Sequence, residues 1–453
     1  MPPGSARSLQ AWQARTTRIL KTTGRKPQHD QKGADDVRDS QRKGWMQVRG
    51  RSLLMPVAVG VVFALAVSAC SSSSTTSSAA KSSSSTTSSS GNTTTTSSST
   101  VAGVGTPTTV LAQVYKGTFT QPPTTGPKAV TGKDVWVISC GQASLSCSTP
   151  ANAIMQAGAV LGWKMHLYDA QLNPTNYPVG ISQAIADGAQ GIVAIAVTCN
   201  MAEAPLRQAK AAGIATASFS SFDCTDPNIH AGAPVYDTYA KYAKYNTPAK
   251  VMEAWGAAKA AWIIGATKGK AKVIDITTPT FLVLRYADIG FRAEMKQCKG
   301  CTIVDSPSIA ISTLTGTGAT QKLSTALQQY PTANALNVPN DAAFTEYANT
   351  VLKQVSRPSL KVAGGECFPQ NIAEIRSGGP EDACDAFPEV WWGYATADEL
   401  NRQFAQPGSA PVNEGLGTQL VDRTHNLPAS GPWVPKGVTY IADYTKLWQT
   451  GKS

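Results

Sequence analysis

From Lys133 onward, short apolar runs alternate with longer Ala-rich stretches in which apolar residues recur every three or four positions. The spacing predicts strands over 135–139, 164–168, 191–197 and 214–219. Helices over 151–161, 177–186 and 202–212 fall between them. Thr149 and Pro150 read as an N-cap and a first helical proline, and Gly162, Gly188 and Gly213 stand where helices stop. After a Tyr-rich stretch at 236–245 the rhythm resumes. Helices are expected over 249–264, 285–296, 319–329 and 341–354, with strands over 272–277, 302–305, 335–338 and 361–363. Strand, helix and strand in this order imply right-handed crossovers and parallel sheets covered on both faces. Two such series predict an α/β chain with two doubly wound parallel-sheet lobes, joined by a hinge. Ligands of such sheets sit beyond the carboxyl ends of the strands, so the expected site is the interlobe cleft.

The first hundred residues follow a different pattern. Arg49 and Arg51 precede an apolar run over 53–67 that ends in Val67-Ser68-Ala69-Cys70. A positive flank, a short apolar core and small residues before a cut are the parts of a secretory signal. The run is shorter than the roughly 20 residues a membrane span needs, and Pro56 interrupts it. The Val-Ser-Ala-Cys end resembles a lipobox, which makes Cys70 the expected lipidation site. Residues 1–45 are long for a signal's flank, and Met46 would start a signal of ordinary length. Residues 71–100 hold 25 Ser/Thr and nothing aliphatic larger than Ala, so they are expected to tether rather than to fold. The expected organisation is an extension and signal over 1–69, a tether over 70–110 and a folded part over 111–453.

The 453 residues carry a net charge of +11, which would favour a nucleic-acid partner if it were evenly spread. It is not. Residues 1–52 hold 12 Lys/Arg against 4 Asp/Glu, leaving 28 against 25 for the rest. A folded part so close to neutral offers no field for phosphate backbones.

Eight cysteines remain beside Cys70: Cys140, Cys147, Cys199, Cys224, Cys298, Cys301, Cys367 and Cys384. An even number in an exported chain reads as disulfides, and the spacing suggests the neighbour pairs 140–147, 199–224, 298–301 and 367–384. A redox Cys-x-x-Cys at 298–301 would want a helix N-terminus, whereas this one follows a helix. A zinc site would need a second ligand pair, and His166, His230 and His425 are scattered. No metal and no cofactor are expected.

No Gly-x-Ser-x-Gly elbow, Gly-x-Gly-x-x-Gly turn or His-Glu-x-x-His motif occurs, and residues 265–271 miss the spacing of a phosphate loop. Nothing nominates an enzyme. The strand ends instead carry polar and aromatic residues. Gln142 and Ser144 follow the first strand, Thr198 and Asn200 the third, and Ser220, Phe222 and Asp223 the fourth. Arg285, Asn340, Asp341 and Glu366 hold equivalent places in the second series. Hydroxyl-rich ligands need such donors and acceptors converging from several loops. Arg285 is expected near a helix N-terminus, where a cation needs an acidic partner: Asp223, Glu366 or a ligand oxygen.

From about Tyr115 to the C-terminus the chain resembles the type 1 periplasmic binding proteins, the ribose/galactose-like substrate-binding proteins of ABC importers, and especially their actinobacterial lipoprotein members. The resemblance rests on KDVWVISCG at 133–141, AIADGAQGIV at 184–193 and PLRQAKAAGIATA at 205–217. In the second lobe it rests on LRYADIGF at 284–291 and VPND at 338–341. It implies a first lobe over about 131–235 plus a segment near 386–415, and a second over about 248–385 plus the C-terminal segment. The family's ligand arginine falls on Arg285, its Asn-Asp turn on Asn340 and Asp341, and its acidic residue on Glu366. Sugar binders usually have Asp at that last position. The family's hinge Gln has no clear counterpart over 386–392, where Trp391 and Trp392 stand. The resemblance implies a non-enzymatic, monomeric, lipid-anchored extracytoplasmic protein that captures a small solute, a sugar or polyol, for a membrane permease. A ligand-sensing receptor subunit is the alternative, and an extracellular enzyme on the same scaffold a third.

Overall fold

A computed structural model describes residues 101–310, 313 and 317–451. The expected signal, Cys70 and most of the tether lie outside the described residues. The chain divides into two units at Thr93/Thr94, and the described residues belong to the second.

The first sheet contains β1 (Asp134–Ser139), β2 (Lys164–Asp169), β3 (Gly191–Ile195), β4 (Ala215–Phe219) and β5 (Thr238–Tyr239). Their order is β2-β1-β3-β4-β5, all parallel. β3 is buried throughout and β1 nearly so, as apolar runs covered on both faces must be, whereas the edge strand β2 is partly exposed. The crossovers are α2 (Leu145–Val160), α3 (Asn176–Ala186) and α4 (Cys199–Ala211).

The second sheet contains β7 (Lys272–Asp275), β8 (Thr302–Asp305), β9 (Ala335–Asn337), β10 (Lys361–Glu366), β11 (Ala383–Ala386) and β13 (Gln419–Asp422). Their order is β13-β11-β10-β9-β7-β8, parallel except for β13. Helix α5 (Pro248–Ala266) lies against this sheet, with α6 (Leu282–Met295) packed on it. The two backbones touch because each helix has a glycine at the crossing. A Cβ on Gly256 would lie 1.8 Å from the Ala287 carbonyl oxygen, and one on Gly290 would lie 1.8 Å from that of Glu253.

Two crossing segments pair with each other as a small hinge sheet, β6 (Lys241–Tyr242) with β12 (Asn413–Leu416). Helix α11 (Glu389–Ala405) crosses back to cover the first sheet, packing on α2 and β4.

Four expectations are corrected. Helix α2 begins at Leu145, not at 151, so Pro150 lies inside it rather than at its first position. The Cys140–Cys147 disulfide and cleft contacts of Ser146 give the extra turn its tertiary support. The expected tether ends too late, because α1 (Pro107–Lys116) docks Val110 and Val114 into the core beside α5. Ahead of it, the N–H groups of Ala102 and Gly105 donate to the Glu253 and Glu294 carboxylates. The stretch over 341–354 is interrupted: a helical turn at Asp341–Ala343, a wider π turn at Phe344–Ala348, then α-helix at Asn349–Val355. Lastly, the C-terminal segment divides between the lobes. β13 joins the second sheet, but the final helix, α12 (Tyr440–Thr450), packs on α11 through Trp391, Tyr394 and Trp448.

All four neighbour cysteine pairs are joined. Peptide mapping of the secreted chain is expected to recover these four bridges and no free thiol among the eight. Breaking Cys199–Cys224, which closes the longest of the loops, is expected to cost about 3 kcal/mol, read as a lowered denaturation midpoint.

Candidate ligand-binding cleft

The carboxyl ends of both sheets converge on the head of α2. Ser146 Oγ donates to Glu366 Oε2 at 2.9 Å, and Asn340 Nδ2 donates to the same Ser146 oxygen at 2.9 Å. These bonds join the lobes. The N–H groups of Asp341 and Ala342 also donate to Glu366 Oε2, at 3.2 and 3.3 Å.

Glu366 takes this position through a backbone few residues adopt, with φ of +84°. The Asp341 carboxylate holds the turn by accepting the N–H groups of Gly365 and Cys367. The two residues before Glu366 must be small. A Cβ on Gly364 would lie 2.2 Å from Asp341 Oδ1, and one on Gly365 would lie 2.1 Å from the Trp255 ring. Left-handed residues also follow β3 and β4, at Ala196 (φ +56°) and Ser220 (φ +53°). Strained backbone gathers at the cleft-facing strand ends, where over-determined local structure is a mark of function. Three of the disulfides, at Cys140, Cys199–Cys224 and Cys367, brace the same ends.

A second interlobe contact centres on Tyr286. Its ring stacks on Phe222 at 5.0 Å, its hydroxyl donates to Asp226 Oδ1 at 2.7 Å, and Asn228 Nδ2 donates to that hydroxyl at 2.6 Å. A cavity of 750 Å³ opens here, walled by Ser221, Phe222, Asp226, Tyr236, Glu253 and Tyr286. A narrow crevice adjoins it, lined by Ser218, Ser220, Phe222, Tyr242, Met252 and Trp392.

The expected site residues separate into groups. Ser144, Phe222, Asn340 and Glu366 are buried at the lobe junction. Gln142 donates to Ser139 Oγ at 2.7 Å, which holds it to the end of β1. Thr198 is the buried N-cap residue of α4, and Asn200 beside it is exposed. Asp341 is wholly buried and serves the β10 turn rather than open space. Asp223 accepts the N–H groups of Cys224, Val235 and Tyr236, so its carboxylate closes its own loop. Arg285 is exposed, and its guanidinium forms no hydrogen bond or ion pair with Asp223 or Glu366. The expected pairing fails because α6 starts at Leu282, which puts Arg285 on the solvent side of the second turn. Neighbouring Tyr286 faces the cleft in its place.

Ser146, Tyr286, Tyr242 and Trp255 escape sequence reasoning, since their partners lie far along the chain. One signal was available. Lys259 is a lone cation in the apolar middle of α5, one turn after Trp255. Its ammonium sits 4.3 Å over the Trp255 ring and donates to the carbonyls of Val338 and Pro339. Burial pulls Lys259 down to about 8, opposed by Asp341, Asp275, Asp385 and Glu366. Burial likewise pushes Glu366, Glu381 and Asp385 up to about 8. Asp341 rises well above the usual carboxylate range through burial and the adjacent Glu381. Asp341, Cys367 and Cys384 lie close enough to suggest metal ligands, but both sulfurs are spent in one disulfide.

The model of the periplasmic binding protein domain family matches residues 147–406, more than half of the chain. The chain belongs to that family. Its lobes and cleft are those of the type 1 periplasmic binding fold. An ABC sugar transporter subunit from Rhodobacter sphaeroides 2.4.1 superposes with a TM-score of 0.55 at 16% identity, over 65% of this chain and 100% of that one. An ABC transporter solute binding protein from Agrobacterium vitis, bound with alpha-D-tagatopyranose, gives 0.56 at 17% identity, over 64% and 95%. One from Mycobacterium smegmatis with bound glycerol gives 0.54 at 19% identity, over 67% and 100%. Among curated proteins none matches the chain. In this family member, among the described residues, no helix is long and apolar enough to cross a membrane.

Proposed function

We propose that this chain captures a small hydroxylated solute, a sugar or polyol, between its lobes and presents it to an ABC permease. The observation that carries this reading is the interlobe junction itself. Donors and acceptors from both sets of strand ends meet there beside aromatic faces at Phe222, Tyr286, Tyr242 and Trp392. Hydroxyls both donate and accept, and the C–H faces of a sugar suit flat rings. Ser144, Ser146, Phe222, Tyr286, Asn340 and Glu366 form the proposed ligand wall, with Gln142, Thr198, Asn200 and Asp223 shaping the loops around it. The exposed Arg285 stands outside that wall. The protein acts as a monomer, without turnover, outside the cytoplasm.

A thermal-shift screen over sugars, polyols, amino acids and aromatic acids tests the reading. A sugar or polyol is expected to raise the melting temperature and to be recovered unchanged. Stabilisation by amino or aromatic acids alone would reassign the ligand, and a converted ligand would make the chain an enzyme. Ser146→Ala leaves Glu366 and Asn340 without their shared partner across the cleft. Such a loss costs about 1–3 kcal/mol, so affinity for the identified solute is expected to fall about 5- to 150-fold. An unchanged Kd would remove Ser146 from the site.

Membrane attachment is proposed to run through lipid on Cys70, with the Ser/Thr-rich stretch as spacer. Cys70→Ala is expected to release the protein from membranes or to leave its precursor uncut. Unchanged attachment together with an unchanged mature mass would overturn the anchor.

A further inference from the structure

The 750 Å³ cavity beside Tyr286 is large for a single sugar ring and lies in the range, about 300–1,000 Å³, of sites that take drug-sized ligands. Much of its polar wall is already engaged. Ser221 Oγ donates to the Ala194 carbonyl and accepts the Val197 N–H, and the Tyr236 hydroxyl donates to the Val197 carbonyl. The Tyr239 hydroxyl donates to the Asn246 carbonyl at 3.2 Å, and that of Tyr286 to Asp226. The carboxylates have partners too: Asp223 in three N–H groups of its own loop, Asp237 in Lys210 and Thr216, and Glu253 in the Ala102 N–H and Lys250. What the wall still offers a guest is mostly carbon, from Phe222, Tyr239, Tyr286, Pro227, Pro248 and Ile289.

The adjoining crevice has the opposite character. Ser218, Phe222, Tyr239, Thr247 and Pro248 border both spaces. Within the crevice lining, the Tyr242 hydroxyl and Trp392 Nε1 are buried with no hydrogen-bond partner among the described residues, and each residue is 6% exposed. The two rings are 5.3 Å apart. The crevice holds about 10 Å³, room for one oxygen and not for a ring. An indole N–H only donates, whereas a phenol hydroxyl donates or accepts, so a single hydroxyl oxygen can satisfy both. Buried polar groups are costly to leave unpaired, which marks the crevice as a place for such a guest.

We propose that the captured solute carries a flat aromatic group beside its hydroxyls, as an aryl glycoside or an aryl ether of a polyol does. The inference rests on the hydroxylated-solute reading and narrows it. The aromatic group lies in the cavity against Phe222 and Tyr286, whose ring centroids are 5.0 Å apart. One solute oxygen enters the crevice, accepting from the Trp392 N–H and bonding the Tyr242 hydroxyl. Ring faces and prolines favour a flat guest over a flexible or puckered one. Aromatic pairs gain from their quadrupoles beyond the area they bury, and a rigid ring loses little conformational freedom on binding.

The test is titration calorimetry on the secreted chain with matched pairs: the phenyl against the methyl β-glycosides of glucose, galactose, mannose and xylose, and glycerol phenyl ether against glycerol methyl ether. In at least one pair the phenyl member is expected to bind tenfold or more tightly than its methyl partner. Ala249 lines the cavity outside the proposed ligand wall, so Ala249→Trp fills the space. That variant should shrink the preference to within threefold and leave the methyl member's Kd within twofold of wild type. If it does not fold, Ile289→Trp on the same wall serves, and the wild-type pairs are decisive without either. Tyr242→Phe should weaken both members at least threefold, and an unchanged Kd would overturn the crevice contact. Methyl members binding as tightly as the phenyl ones would overturn the aromatic subsite and leave the sugar-or-polyol reading standing. A cyclohexyl analogue binding as tightly as the phenyl one, or a preference that survives Ala249→Trp, would do the same. Binding by no member of any pair would bring down both readings.

Discussion

Gly290→Leu is expected to abolish recovery of folded protein, and Gly290→Ala to lower the melting temperature by several degrees. The first methyl carbon at this position would stand 1.8 Å from the Glu253 carbonyl oxygen, which is backbone and cannot rotate away. The helices can accommodate it only by separating, which opens α5 from α6 along the Gly256–Ala287 contact. Overpacking of this kind costs about 1–3 kcal/mol for small insertions and more for a branched side chain. For a chain of this size about 1 kcal/mol moves the midpoint by roughly 2–4 °C. Gly318→Ala supplies the contrast, because among the described residues a Cβ there meets nothing nearer than 3.9 Å. Calorimetry of the three variants checks the argument, and a Gly290→Ala midpoint equal to that of Gly318→Ala would refute the close crossing. The consequence reaches the cleft, since α5 carries Trp255 and Lys259 and α6 carries Tyr286.

Stability is expected to fall as pH rises from about 5 to 8. Glu366, Glu381, Asp385 and Asp275 are each pushed up to about 8, chiefly by burial, and Glu399 to about 7. Between the ordinary carboxylate range and these values, the folded chain holds protons that the unfolded chain has lost. Stability must then decline with pH across that window. Lys259 does not cancel the slope. Its folded value of about 8 lies below its ordinary 10.5, so its contribution changes only above pH 8. On the acid side Asp422, held at about 2 by the Tyr115, Thr424 and His425 hydrogen bonds despite burial, contributes stability that is lost as pH falls below about 4. The optimum is therefore near pH 5. A linked loss of about 3 kcal/mol, equivalent to roughly two pKa units, would lower the midpoint by about 6–12 °C. Melting curves from pH 5 to 8 measure this directly, and a midpoint that rises across the window would contradict it.

The alternation of elements was legible because a doubly covered parallel strand has to be a short apolar run and a crossover helix has to be amphipathic. β1, β3 and β7–β10 appear close to the expected positions for that reason. The cysteine pairs were legible because each closes a short local loop. The helix at Pro107–Lys116 was not, since it follows a Ser/Thr-rich stretch and owes its place to Val110 and Val114 docking near α5.

In the cleft the division is sharper. Local sequence marked Asn340 and Glu366 through the turns that present them. It also put Arg285 at the head of a helix, but whether a helical residue faces a cleft or solvent depends on what packs against that helix. For this reason Tyr286, for which the sequence offered no role, faces the cleft where Arg285 was expected. Trp391 and Trp392 show the same effect on α11. One bonds Tyr444 on the final helix, and the other joins Phe219, Tyr242 and Phe387 at the cleft, because successive helical residues point about 100° apart. The sequence by itself determined two α/β lobes, their disulfides and the strand ends from which a site is built. Only the tertiary structure decided that Ser146 meets Glu366 across 220 residues and that Tyr286 reaches Asp226 on the other lobe. Periodicity reports which face of an element is apolar, whereas the pairing of polar groups depends on contacts between elements distant along the chain.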